Sequence, residues 1–183
     1  MNTANRITLI RLALIPVFLF FFLTDFVPYS RYIAVAVFLL AAVTDSVDGH
    51  IARKYNQITD FGKFIDPLAD KILVVSALVG MVQFGQVSAL AVIIIIAREF
   101  IVTGLRIIAI SSGQVIAAAP SGKLKTVIQI VVICVVMAAQ ELVGTVAYLD
   151  IALKCLVWIM VIITVYSGAE YIVKNRALID YRK

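Results

Sequence analysis

Six long apolar stretches, near residues 9–26, 32–48, 64–84, 87–110, 124–140 and 151–173, take up most of this chain. Each is close to the roughly 20 residues that a helix needs to cross a hydrocarbon layer about 30 Å thick. No alternating apolar and polar pattern competes with a helical reading. A chain in lipid must also close its backbone hydrogen bonds internally, which a helix does within one segment. Hydrophobic residues make up 63% of the 183 and charged residues only 15%, against roughly a half and a quarter in soluble domains. The sequence therefore predicts an all-α integral membrane protein with six transmembrane helices. Neither a linker nor a low-complexity tract interrupts it, so residues 1–183 read as a single transmembrane domain. Arg6 and Arg11 ahead of the run 12–23 resemble the flank of a signal peptide. No small-x-small cleavage site follows before Asp25, which favours a retained first helix. Residues 1–11 can either lie along the interface or continue the first span.

The net charge of +5 raises nucleic acid as a partner, but the cations sit at the ends of apolar runs and form no polar module, which argues against it. Segments containing Arg6, then Arg53, Lys54 and Lys63, then Arg106, Lys123 and Lys125, then Lys174, Arg176, Arg182 and Lys183 alternate with cation-poor loops. Under the positive-inside rule both termini are cytoplasmic, which requires an even number of spans. Cys134 and Cys155 each lie inside an apolar run without a C-x-x-C partner and read as small buried hydrophobes.

Chemistry concentrates between the second and third runs, in AVTDSVDGHIARKYNQITDFGKFIDPLADK. Asp45 and Asp48 are three apart, and Asp66 and Asp70 are four apart. On helices each pair shares a face, and antiparallel neighbours could bring all four carboxylates together. Such a cluster repels itself unless it is protonated or holds cations. Hard oxygen ligands without His or Cys suit Mg2+ or Mn2+. Four carboxylates are enough for two ions and a base, an arrangement suited to phosphoryl transfer. Gly49 and Gly62 would let a nucleotide approach the backbone closely. Structural alternatives exist. Asp66 before Pro67 fits a helix N-cap, and Asp70 could pair with Lys71 or Arg53. Arg53 itself reads either as a diphosphate clamp or as an interfacial anchor. His50, the one histidine, reads as a loop residue.

The fourth run contains AREFIVTGLR, and the fifth is preceded by SGKLKT. Ionisable groups inside an apolar helix are costly and normally face a cavity or a partner. Glu99, Thr103 and Arg106 form a stripe, with Arg98 on a neighbouring face. Arg98, Arg106, Lys123 and Lys125 are therefore candidates for binding an anion, with topology or pairing to Glu99 as the structural alternative.

The segment DSVDGHIARKYNQITDFGKFIDPLAD resembles the CDP-alcohol phosphotransferase family at every fixed position of D-x-x-D-G-x-x-A-R-(x8)-G-x-x-x-D-x-x-x-D. That resemblance implies a six-helix membrane enzyme, usually a homodimer. Asp45, Asp48, Asp66 and Asp70 would be metal ligands. Asp48, Gly49, Ala52, Arg53, Gly62 and Asp66 would line the CDP site, and Asp70 would also be the general base. The opening NRITLIRLALIP, together with REFIVTGLR and SGKLKT, is similar to a bacterial branch of the family. The implied reaction passes a phosphatidyl group from CDP-diacylglycerol to sn-glycerol 3-phosphate at the cytoplasmic face of the cell membrane, giving phosphatidylglycerol phosphate and CMP. Arg98, Arg106, Lys123 and Lys125 would then hold the acceptor phosphate. Alternatives are another transferase on the same donor, making a phosphatidylinositol phosphate or cardiolipin, and, more distantly, a cation transporter. A transporter predicts carboxylates near mid-span, whereas these lie near a cytoplasmic mouth.

Overall fold

A computed structural model describes the backbone of residues 3–24, 26–54, 60–111 and 119–176, and the side chains of 8–24, 26–44, 68–69, 71–109 and 119–176. Among the described residues six α-helices follow one another: α1 (Thr3–Leu23), α2 (Ser30–Lys54), α3 (Asp60–Gln83), α4 (Ala89–Ser111), α5 (Pro120–Ala139) and α6 (Leu149–Lys174). A short 3-10 turn, Gln140–Leu142, follows α5. Each apolar run becomes one helix, with three adjustments. The first helix begins at Thr3, so the N-terminal segment continues it and does not form a separate interfacial element. The second helix runs on to Lys54 and carries half of the acidic motif. The third begins at Asp60, ahead of the other half.

Among the described residues two helical stretches, Pro120–Leu142 and Leu149–Lys174, are long and apolar enough to cross a membrane by themselves. Shorter apolar stretches cover Thr8–Leu23, Ser30–Thr44 and Lys71–Gln83. In α4 the apolar sequence is broken by Arg98, Glu99 and Arg106.

The chain divides into two compact units: Met1–Gly85 with Ile133–Glu141, and Gln86–Val132 with Leu142–Lys183. In the first, α1 packs extensively along both α2 and α3, while α2 and α3 touch each other less. Phe18 stacks on Phe22 (centroids 5.4 Å apart) and meets Phe38 of α2 at 5.5 Å. Phe22 meets Phe84 edge-on at 5.4 Å, and the Arg31 guanidinium lies 5.5 Å from the Phe84 ring centroid. Gly80 makes room for this cluster: a Cβ there would stand 2.6 Å from Phe22 Cε1.

In the second unit α4 packs against α6, with Val102, Leu105 and Tyr171 buried together and Ile172 alongside. Helix α6 starts from Tyr148 in the left-handed conformation (φ 63°) and ends where Asn175 Nδ2 donates to the Tyr171 carbonyl at 2.7 Å. Lys154 bonds Asp150 one turn away at 2.6 Å.

Side-chain size is distributed in an unusual way. Ala34, Ala41, Ala69, Ala77, Ala91 and Ala109 are fully buried, whereas Phe20, Leu40, Ile93, Phe100, Ile107, Ile162 and Val173 face outward. In water such a surface would be an aggregation hazard. In lipid there is no drive to hide apolar bulk, and helices associate by bringing small residues together. Cys134 is half-buried, but Cys155 is exposed on α6, so the expectation of two buried cysteines holds only for the first.

Candidate functional site

Asp45, Asp48, Gly49, Ala52 and Arg53 lie on the backbone of α2, and Gly62, Asp66 and Asp70 on that of α3. Their side chains fall outside the described residues. The helical backbones nonetheless settle two points. Asp45 and Asp48 are one turn apart toward the C-terminal end of α2, where the macrodipole disfavours anions. Asp66 lies well inside α3, which begins at Asp60, so the N-cap reading of Asp66 is ruled out. Among the described residues no group of three or more His, Cys, Asp or Glu could hold a metal ion.

Arg11 is a residue whose importance sequence reasoning missed. Read as a flanking cation, it is in fact fully buried in α1, and Thr8, one turn earlier, is buried too. A buried guanidinium is costly unless it is paired or hydrogen-bonded, and Arg11 does have an interaction partner. Helix register locates it. Phe18 of α1 contacts Phe38 of antiparallel α2, and position 45 lies as many residues beyond Phe38 as Arg11 lies before Phe18. At about 1.5 Å per residue, both helices descend about 10 Å to a common level. On the α3 side, Phe22 abuts Gly80, and eleven residues down each helix from this pair, about 16 Å, Arg11 is level with Ala69. Arg11 thus lies at the height where α2 and α3 carry Asp45 and Asp70.

A second polar cluster sits in the other unit, on α4, α5 and α6. Arg98 Nη1 donates to Glu99 Oε1 at 3.3 Å, and Lys125 Nζ donates to the same oxygen. Arg98 Nη2 donates to Ser167 Oγ at 2.8 Å. The side chain of Lys125 is only 4% exposed and that of Arg98 12%. Gly168 clears space for Arg98, whose Cγ is 2.8 Å from where a Cβ would be. Of the four predicted anion-binding cations, the structure thus gathers Arg98 and Lys125, while Arg106 and Lys123 are exposed and belong to no ion pair found among the described residues. Pairing with Glu99, the structural alternative, is realised for Arg98 and Lys125.

Buried donors accompany them. Arg98 Nε, Gln129 Nε2 and Tyr171 Oη have no hydrogen-bond partner among the described residues, although Gln129 and Tyr171 are at most 4% exposed. Buried polar atoms are nearly always satisfied, so such donors suit a site that receives acceptor oxygens. Gln129, Ser167 and Tyr171 were also missed. Their signal was present: Lys125 and Gln129, and Ser167 and Tyr171, each lie one turn apart inside apolar helices.

Comparison with known proteins agrees with these features. A family model described as CDP-alcohol phosphatidyltransferase matches residues 1–173. A Bacillus subtilis (strain 168) protein named CDP-diacylglycerol--glycerol-3-phosphate 3-phosphatidyltransferase is 44% identical over 95% of each chain. A Rickettsia bellii protein of the same name is 34% identical over 93% of each. A Mycobacterium tuberculosis protein named probable phosphatidylglycerophosphate synthase is 39% identical over 98% of this chain and 83% of its own length. Carrying the complete acidic motif on two helices packed against α1, and matched by the family model over nearly its whole length, this chain belongs to the CDP-alcohol phosphatidyltransferase family.

Proposed function

We propose that this protein transfers the phosphatidyl group of CDP-diacylglycerol to sn-glycerol 3-phosphate, forming phosphatidylglycerol phosphate and CMP. The observation that carries this reading is the near full-length similarity to relatives named for that reaction. The intact acidic motif supports it, as does the cationic cluster on α4 and α5. A phosphate-bearing acceptor calls for cations, whereas a neutral acceptor such as diacylglycerol would not.

In this reading Asp45, Asp48, Asp66 and Asp70 would hold two Mg2+ or Mn2+ ions. The metal supplies charge neutralisation at the diphosphate and makes CMP a competent leaving group. Asp48, Gly49, Ala52, Arg53, Gly62 and Asp66 line the CDP site, the glycines admitting the nucleotide and Arg53 clamping the diphosphate. Asp70 accepts the proton of the attacking hydroxyl, for which it must come within about 3 Å or one bridging water. Of the four candidate cations, Arg98 and Lys125, the buried pair, serve the acceptor phosphate. The chain is one catalytic domain of six membrane-spanning helices in the bacterial cytoplasmic membrane. Both termini and the active site face the cytoplasm, and the functional unit is a homodimer. The outward-facing Phe, Ile and Leu side chains support the membrane setting, and the distribution of Lys and Arg supports the orientation.

The test is direct. Purified protein with Mg2+ or Mn2+ and CDP-diacylglycerol is offered labelled glycerol 3-phosphate, inositol phosphate or phosphatidylglycerol, and CMP and new lipid are followed. Glycerol 3-phosphate is expected to be the productive acceptor. Product from inositol phosphate or phosphatidylglycerol alone would reassign the acceptor, and no CMP with any of them would refute transfer.

A further inference from the structure

We propose that Glu99 is a positioning residue for the acceptor phosphate, holding Arg98 of α4 and Lys125 of α5 on one carboxylate oxygen. The inference rests on the acceptor reading of this cluster given above.

The geometry has a feature that a simple cation pocket does not need. A pocket for a phosphate monoester gains from two cations, yet these two straddle a carboxylate that cancels one of their charges. Without it, two buried like charges sharing one spot would repel and swing apart. With Glu99 Oε1 between them, both cations are tethered to the same oxygen. Arg98 is restrained three ways: by Glu99, by Ser167 Oγ, and by its methylene chain lying over the Cβ-less face of Gly168. The guanidinium is thereby fixed in orientation, and its Nε is buried with no hydrogen-bond partner among the described residues. Gln129, one turn from Lys125 along α5, has a buried amide nitrogen with no hydrogen-bond partner among the described residues. The carboxylate therefore costs charge and secures direction. Preorganised donors of this kind bind a tetrahedral anion without reordering at the moment of binding.

Steady-state kinetics of Glu99→Gln, Glu99→Asp and wild type, combined with inhibition by inorganic phosphate, test the idea. Glu99→Gln is expected to raise KM for glycerol 3-phosphate and Ki for phosphate together by about tenfold or more, with KM for CDP-diacylglycerol unchanged. Glu99→Asp, which keeps the charge, should recover part of the loss. Unchanged or tighter values for glycerol 3-phosphate and phosphate in Glu99→Gln would overturn the proposal, as would equal loss toward both substrates. If Glu99→Gln does not fold, Ser167→Ala removes a different tether from Arg98 and should raise the same two constants by about threefold; no change there overturns it equally. Wild-type protein that ignores glycerol 3-phosphate would instead sink the acceptor reading itself, so the two failures are distinguishable.

Discussion

The Cγ of Arg98 on α4 stands 2.8 Å from the point a Cβ on Gly168 of α6 would occupy, with Nε and Cδ at 3.6 and 3.8 Å. The near end of the side chain fills that space, so it cannot yield by swinging its tip. Gly168→Ala is therefore expected to displace Arg98 from Ser167 and to cost about 1–3 kcal/mol, read as a lower melting temperature in detergent. KM for glycerol 3-phosphate should rise with it. A variant with wild-type melting and kinetics would mean the helices relax without moving Arg98.

Arg11 offers a sharper stability test. Its complete burial in α1 means that Arg11→Met leaves whatever matches its charge unpaired, at about 3–5 kcal/mol. The expected result is protein that extracts poorly or melts well below wild type, with Arg11→Lys retaining more stability. Equal behaviour of the two would show that shape, not charge, is what Arg11 supplies.

Packing of α1 against α3 in the same unit depends on Gly80. A Cβ there would meet Phe22 at 2.6 and 2.9 Å, with Leu23 at 3.4 Å, and Phe22 is held by Phe18 and Phe84. Gly80→Ala should destabilise by about 1–3 kcal/mol. Gly104, whose added Cβ would meet nothing within 4 Å, provides the control: Gly104→Ala should melt at or above wild type, since alanine favours the helix by about 1 kcal/mol.

The four aspartates divide by role. Chelation with EDTA should abolish CMP release, and Mg2+ or Mn2+ should restore it. Asp70→Asn is expected to remove turnover while CDP-lipid binding stays measurable, whereas Asp45→Asn should weaken that binding. Equal loss of binding in both would make Asp70 a metal ligand only.

Much of this protein could be read from sequence because periodicity and spacing are local properties. Six apolar runs of bilayer length dictate six helices, and the spacing of Asp45 with Asp48 and of Asp66 with Asp70 places each pair one turn apart wherever those helices lie. The meaning of a charge inside an apolar helix is different, because it depends on the neighbour it faces. Arg11 reads as a topological flank in one dimension and turns out to be core, since α1 packs against both α2 and α3. Likewise Arg98, Arg106, Lys123 and Lys125 look equivalent along the chain. Tertiary packing separates them by bringing α5 and α6 to one side of α4, which buries Arg98 and Lys125 on a shared Glu99 oxygen and leaves Arg106 and Lys123 outside. Sequence by itself determined the elements and the type of chemistry; only the packing of helices decided which charges are desolvated and paired, because desolvation is set by what surrounds a group and not by what precedes it.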